Sequence, residues 1–233
     1  MNVAVTLPVR GGAVLRIRDA ECVADVAGIL YWPEQRLLVV SDLHLEKGSA
    51  FATRGQLVPP YDTTDTLRRL GAVVARYAPQ VVVSLGDNFH DRTGAGRLAE
   101  ENRAMLADMQ RGRDFIWITG NHDPEPLTNL GGLSADSFEV GGVTFRHIAA
   151  KKNAVGEVSG HLHPVAIVAG RGRSMRRRCF AGDGNRLVMP AFGAYAGGLS
   201  IRDRAFASIF DRAFMAHVLG EERVYAIGSA NCL

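Results

Sequence analysis

The sequence predicts an α/β fold, because buried strands alternate with helical segments along the first half of the chain. Three continuous apolar runs, rich in β-branched residues, lie at 36–42, 81–87 and 115–121. Such runs are typical of strands that are buried on both faces of a sheet. Helix-like segments at 63–77 and 95–110 follow the first two runs. Strand, helix and strand in succession predict a parallel sheet.

The remaining elements are shorter. Residues 13–18 and 28–31 have partly alternating patterns and predict strands before the first buried run. After residue 130 the chain is mainly β, and its last thirty residues have weaker strand signals. Short strands separated by glycine-rich or polar turns are predicted at 137–148, 154–160, 165–170, 178–181 and 185–189. We expect residues 1–233 to form a single domain.

Composition predicts a globular protein, and we expect it in the cytoplasm. Apolar residues make up 47% and charged residues 22% of 233 residues. No apolar run reaches the roughly 18 residues that a membrane helix needs, and no signal-peptide pattern is present, so we expect no membrane partner. The three cysteines are far apart, which argues against a disulfide framework or a zinc–thiolate site. The net charge of +3 is too small to indicate a polyanionic partner by itself.

Polar side chains that can bind metals follow each of the three buried runs. Asp42 and His44 follow the first run, Asp87 the second, and Asn121 and His122 the third. Because sites in open α/β sheets form at the carboxyl ends of strands, we expect these residues to meet despite their separation along the chain. A lone Asp at a strand end more often caps a turn or a helix. The repetition of the pattern after three strands favours a shared site.

Two further histidines follow on an extended segment. His161 and His163 are two residues apart, so both imidazoles point to the same side of the chain. His147 stands alone on the preceding strand, where a core histidine with satisfied hydrogen bonds is the commoner interpretation. Together the motifs are DxH, GD, GNH and GHxH, in that order.

This order and spacing resemble the calcineurin-like metallophosphoesterase superfamily. The resemblance implies a four-layer αββα sandwich, with two packed sheets flanked by helices, and a hydrolase that uses two metal ions. In the family pattern a later acid lies three residues after the Asp of the GD motif. Here Asp91 lies four residues after Asp87.

The resemblance also implies a ligand set, carried over residue by residue. One metal would be held by Asp42, His44, Asp87 and His163, and the other by Asp87, Asn121, His147 and His161. Mixed oxygen and imidazole ligands without thiolate fit manganese, iron or zinc, and the resemblance favours manganese. His122 would act at the leaving group as a general acid, and Asp91 or Asp123 would fix its tautomer, with Asp91 favoured by its place in the second motif.

A narrower resemblance extends over about residues 39–198. DLHLEKGSAFATRG, GDNFHDRTG and RCFAGDGNRLVMPAFGAYAGG are similar to the bacterial ligase-associated DNA damage response endonuclease family. This similarity implies a manganese-dependent endonuclease acting on single-stranded DNA in repair, with a functional link to a DNA ligase and helicase cluster. Arginines that could contact DNA phosphates are Arg54, Arg92, Arg176, Arg177 and Arg178, the last three within a run of five arginines at 171–178. A solvated hairpin is the alternative for that run.

Two rival functions stay open from the sequence. One is a phosphatase or a small-molecule phosphodiesterase, acting on nucleotides or on a lipid-sugar diphosphate. The other is a metal-bound scaffold with little turnover, against which the intact His122 argues. A monomer and a homodimer are both compatible with the sequence.

Overall fold

The computed structural model describes residues 11–151, 154–170, 172–211 and 213–233. Its helices are α1 (Lys47–Ala52), α2 (Asp62–Tyr77), α3 (Gly94–Arg97), α4 (Glu100–Gln110) and α5 (Arg204–Ala207). The strands of the first sheet are β1 (Ala13–Ile17), β2 (Ala20–Ala24), β3 (Leu30–Trp32), β4 (Leu37–Val40), β5 (Val81–Ser84), β6 (Asp114–Ile118) and β7 (Leu133–Ala135). Those of the second are β8 (Ser137–Val140), β9 (Val143–Arg146), β10 (Glu157–Ser159), β11 (Pro164–Gly170), β12 (Arg173–Gly182), β13 (Arg186–Val188), β14 (Leu199–Ser200), β15 (Met215–Leu219) and β16 (Val224–Gly228).

The first sheet places the three buried runs side by side. Its seven strands lie in sequence order; β1 to β4 are antiparallel and β4 to β7 are parallel. In register, Val39 of β4 is opposite Val83 of β5, which is opposite Ile116 of β6. The carboxyl ends of these three central strands therefore reach the same edge of the sheet.

The second sheet is mixed and contributes the histidines of the later motifs. Its path runs β14-β11-β12-β13-β10-β9-β8, and β15 pairs with β12 and with β16. Strand β10 lies parallel to both β9 and β13, so His147 after β9 and the segment 160–163 after β10 leave the sheet at one edge.

Apolar side chains fill three layers, which confirms the predicted two-sheet sandwich. The first core joins one face of the first sheet to α2 and α4, through residues such as Leu70 and Leu106. The second lies between the sheets and contains Val39 and Phe145. The third covers the outer face of the second sheet, where Phe206 of the short helix α5 packs. Among the described residues, no helix combines the length and the apolar character that crossing a bilayer requires.

The helix predicted at 95–110 is interrupted. The structure has the short α3, a break at Leu98 and Ala99, and then α4. Leu98 is buried in the first core, and the guanidinium of Arg103 donates hydrogen bonds to the carbonyls of Leu98 and Ala95. These bonds satisfy carbonyl groups that a continuous helix would have paired internally. Strands β2, β7 and β14 and helices α1 and α5 were not predicted, and the strand predicted at 137–148 is the antiparallel pair β8 and β9.

Candidate metal centre

The loops after β4 and β5 are joined by backbone hydrogen bonds, which bring their polar residues together. The amide of Asp42 donates to the carbonyl of Gly86 over 3.3 Å, and that of His44 donates to the carbonyl of Asp87 over 2.9 Å. Asp42, His44 and Asp87 all have positive φ angles, between 44° and 52°. This left-handed conformation is uncommon outside glycine and is concentrated at functional sites.

A first cluster of ligand atoms consists of Asp42, His44 and His163, whose ligand atoms all lie within 4.8 Å of one another. The Nε2 atom of His163 lies 3.1 Å from Oδ1 of Asp42 and 3.3 Å from Nε2 of His44. The backbone amide of His161 donates to both carboxylate oxygens of Asp42. The GHxH segment is therefore fastened to the DxH loop.

A second cluster consists of Asp87, His147 and His161. Nδ1 of His147 donates to the carbonyl of Leu85 over 2.8 Å, because a carbonyl oxygen only accepts. Nε2 of the same ring then faces Oδ1 of Asn121 at 2.9 Å and Oδ1 of Asp87 at 3.3 Å. In neutral His147 this nitrogen carries a lone pair, so three electron-rich atoms converge, an arrangement that a cation between them would satisfy.

Asp87 lies between the two clusters. Its Oδ1 approaches His147 in the second cluster, and its Oδ2 lies 3.9 Å from Nε2 of His44 in the first. A carboxylate has two oxygens and can serve two cations at once. The residues present therefore fit a pair of divalent metal ions, and they include all seven residues in the ligand set that the sequence predicted.

The charges of the site are arranged for metal binding. Burial raises the pKa of Asp87, but its interactions with His147, His122 and His44 together outweigh burial and bring the pKa to about 2. Burial lowers the pKa of His44 to about 4, so its ring is neutral at pH 7. Burial also lowers the pKa of His147, but the carboxylates of Asp87 and Asp42 outweigh burial and raise it. Ionised carboxylates and neutral imidazoles are the forms that bind metals, so the shifts at Asp87 and His44 favour a cation and the raised pKa of His147 opposes it until the ring loses its proton.

Two glycines of the motifs are required because atoms of neighbouring loops lie too close to leave room for a side chain. A Cβ atom at Gly120 would lie 2.1 Å from the backbone nitrogen of Asp87. A Cβ atom at Gly160 would lie 2.0 Å from Oγ of Ser41, which donates a hydrogen bond to Asp42. Any other residue would push the loops apart, so the glycines of GNH and GHxH follow from the packing of the ligand loops.

His122 lies at the rim of the site, and the structure corrects its predicted partner. Its backbone amide donates to Oδ1 of Asp87 over 2.9 Å, and its Nδ1 donates to the carbonyl of His90 over 2.7 Å. Asp91 was expected to hold this ring. Its carboxylate instead accepts two bonds from Arg97 and two from Thr93. The extra residue between Asp87 and Asp91 turns that carboxylate away, and a backbone carbonyl fixes the tautomer of His122.

Asp123 joins the second and third motifs. Its buried carboxylate accepts hydrogen bonds from the backbone amides of Asn88, Phe89 and Gly120. Burial raises the pKa of Asp123 to about 6, against the lowering effect of these bonds. Asp123 therefore holds the two loops together. The hydrogen bonds it accepts all come from backbone amides and none comes from the ring of His122.

His90 is a site residue that sequence reasoning missed. It forms a third group of potential ligands with His44 and His122, and its ring centre lies 5.4 Å from that of His122. Its Nδ1 is buried and has no hydrogen-bond partner among the described residues. The signal was present in the sequence, because His90 occupies the position three residues after Asp87 where the family pattern expects an acid.

The predicted substrate arginines lie in three places. Arg54 is exposed after α1, and Arg92 is exposed with its guanidinium 3.8 Å from the carboxylate of Glu125. Arg176 donates to the carbonyl of Gly198, in the loop that is hydrogen-bonded to the His163 segment.

The rest of the arginine run is spread over two faces of β12. Arg177 points to the face opposite Arg176 and lies 3.8 Å from Glu221. Arg178 is largely buried and donates to the carbonyl of Ala191 over 2.8 Å, and burial lowers its pKa. Arg171 lies outside the described residues.

Comparison with known proteins identifies the family. The family model described as calcineurin-like phosphoesterase matches residues 35–185, which include every predicted metal ligand. The chain belongs to the calcineurin-like phosphoesterase family. It is therefore a metal-dependent phosphoester hydrolase. Among solved structures, the nuclease MPE of Pseudomonas putida is similar over 93% of this chain and 100% of that one, with a TM-score of 0.71 and 25% sequence identity. No curated protein matches the sequence.

Proposed function

We propose that this calcineurin-like phosphoesterase is a two-metal phosphodiesterase that cuts single-stranded DNA with manganese. The observation that carries the proposal is the pair of ligand clusters with Asp87 between them and His122 beside them. One cation would be held by Asp42, His44, Asp87 and His163, and the other by Asp87, Asn121, His147 and His161. All of these ligands are oxygen or imidazole nitrogen, which manganese accepts along with iron and zinc.

The two ions, when bound, supply charge stabilisation at phosphorus and a water of lowered pKa. The protein residues position and protonate the substrate. Nδ1 of His122 is committed to the carbonyl of His90, so Nε2 is the atom that can act on the substrate. In the imidazolium form Nε2 donates a proton to the leaving oxygen, as a general acid does.

Cationic and aromatic groups near His90 support a nucleic acid as the substrate. Lys47 and Arg54 both lie close enough to lower the pKa of His90, whose largest cause of lowering is burial. Phe51 packs edge-on against the His90 ring, with centres 5.4 Å apart. Cations that neutralise phosphates, beside an aromatic face, are typical of single-strand binding. The similarity to a protein titled a nuclease supports the same substrate class.

Further proposals rest on the narrower sequence resemblance. We place the enzyme in DNA repair, in functional association with a DNA ligase and a helicase. Arg54 and Arg92 are the arginines best placed to reach substrate, because both are exposed near the loops of the first two motifs.

The test is to incubate metal-stripped protein with circular single-stranded DNA and a panel of divalent metals. A free end is not available on a circle, so its conversion to linear DNA with manganese demonstrates endonuclease activity. Asp87→Ala should be inactive. Asp108→Ala removes an exposed carboxylate that forms an ion pair with Arg111, and this variant should be fully active. If the circle stays intact while p-nitrophenyl phosphate is hydrolysed, the enzyme is a phosphatase and the proposal is wrong.

A further inference from the structure

We propose that an apolar cavity beside the second ligand cluster binds one base of the substrate, belonging to a nucleotide that flanks the scissile phosphate. This inference rests on the phosphodiesterase function proposed above. It assigns a binding role to Ile148, Leu162, Ile209 and Ala205, none of which is a predicted metal ligand, catalytic residue or substrate arginine.

The cavity has the size and lining of a site for one base. Its volume is about 360 Å³, near the lower end of the roughly 300–1,000 Å³ that is typical of small-ligand pockets. Its walls are mainly aliphatic and include Ile148, Leu162 and Ile209. Flat apolar faces of this kind hold a base that has left its stack.

The cavity is continuous with the metal centre. His161 lines it and is also a member of the second cluster, with Asp87 and His147. A phosphate held at the clusters has its two ester groups directly beside them, and a base is separated from its phosphate by a single sugar. A base attached to that phosphate is therefore within reach of the cavity.

Ile148 is the exposed part of this wall. It follows His147 directly, and 52% of its surface is exposed. It also borders a second cavity, of about 370 Å³, which is lined by Asn121 and Arg146. When a base covers this aliphatic side chain, apolar surface is removed from water, which stabilises the bound nucleotide. The same side chain would separate that base from its neighbour.

The charges around the cavity favour a nucleotide over a wholly apolar group. Lys151 lines it, and Arg146, whose guanidinium lies 3.6 Å from the carboxylate of Glu157, lines the second cavity. A nucleotide has an apolar ring face together with an anionic phosphate on each side. The hydroxyl of Ser208, which lines the cavity, already donates to the carbonyl of Ala205. Contact is therefore mainly with the ring face, so we expect little selection among the four bases.

Helix α5 provides a matched pair of variants that leaves every proposed metal ligand in place. Ala205 lines the cavity, so Ala205→Phe adds a ring at its wall. Ala207 is on the same short helix, is exposed and does not line the cavity, so Ala207→Phe adds the same ring outside it.

The substrates are the 5′- and 3′-p-nitrophenyl phosphate diesters of thymidine, with methyl p-nitrophenyl phosphate as the reference. All three have the same leaving group, so their differences report binding of the nucleoside. In the unmodified protein kcat/KM for one thymidine ester should exceed that of the methyl ester on the order of tenfold, as stacking of one base allows. Ala205→Phe should remove this preference, and Ala207→Phe should keep it.

Two results would overturn the base site. One is equal kcat/KM for the thymidine and methyl esters in the unmodified protein, and the other is an undiminished preference in Ala205→Phe. Failure of the proposed function gives a different pattern. If the esters are hydrolysed but circular DNA is not cut, the nuclease function is wrong and the esters still decide the base site. If neither the esters nor circular DNA are hydrolysed, both proposals are wrong, and if the DNA is cut but no thymidine ester is hydrolysed, only the base site is wrong.

Discussion

Replacing His122 by Ala tests the leaving-group role. The side chain of His122 is 39% exposed, so its removal leaves no closed cavity in a core. It belongs to neither of the two proposed ligand sets, and its Nδ1 contact is with a backbone carbonyl. The substitution therefore deletes one proton donor while both metals should remain bound.

The size of the effect depends on the leaving group. General acid catalysis contributes about 10²–10⁴-fold, so kcat on DNA should fall by that factor, which corresponds to roughly 2.7–5.4 kcal/mol. The p-nitrophenolate ion leaves without a proton, so kcat on the thymidine nitrophenyl esters should fall by less than about tenfold. The comparison separates proton donation from a general loss of function.

The assay measures kcat on a single-stranded oligonucleotide and on a nitrophenyl ester, with bound metal determined by elemental analysis. His217→Ala is the control, because this histidine of β15 is outside the three described ligand groups and should change neither value. Equal losses on the two substrates would refute the general-acid role. Loss of a metal ion would instead make His122 a ligand.

Three other predictions follow from the same geometry. Asp87→Ala should release both metals and abolish turnover, and elemental analysis that still finds two ions per chain would rule out the bridging position. Asp91→Ala breaks the pair with Arg97 but leaves His122 on the His90 carbonyl, so kcat should stay within about threefold of the unmodified value. Arg176 and Arg177 point to opposite faces of β12, so only one of them can contact DNA. Replacing both by Ala should make the slope of log affinity for single-stranded DNA against log salt concentration less steep by about 0.7. A change near 1.4 would show that both arginines contact phosphate and would contradict this prediction.

The sequence predicted the ligand loops well because two independent signals coincide there. Apolar runs such as 36–42 and 81–87 are stable only where both faces are buried, here between helices and a second sheet. In the structure they form β4 and β5. Polar residues directly after parallel strands must then meet at one sheet edge. Asp42 and Asp87 were therefore predictable from pattern and spacing alone.

Contacts that depend on local backbone geometry were not predictable in this way. The ring of His122 is held by a carbonyl, and every residue has a carbonyl, so no sequence signal distinguishes His90 from Asp91 as its partner. Arg178 was grouped with its exposed neighbours, but it lies nearer the buried end of β12, where its guanidinium donates to the carbonyl of Ala191. The order of the strands in the second sheet depends on long-range pairing, for which short segments carry little information.

Backbone strain is concentrated at the ligands and suggests that the site is formed before metals bind. Asp42, His44, Asp87, His161 and His163 all have φ angles between 44° and 68°. Each such residue costs of the order of 1–3 kcal/mol and persists only where its surroundings fix it. Here the surroundings are inter-loop hydrogen bonds and buried strands that do not depend on a cation. Because folding has already ordered the ligands, metal binding does not have to supply that free energy, and the carboxylates are held at positions that favour two cations.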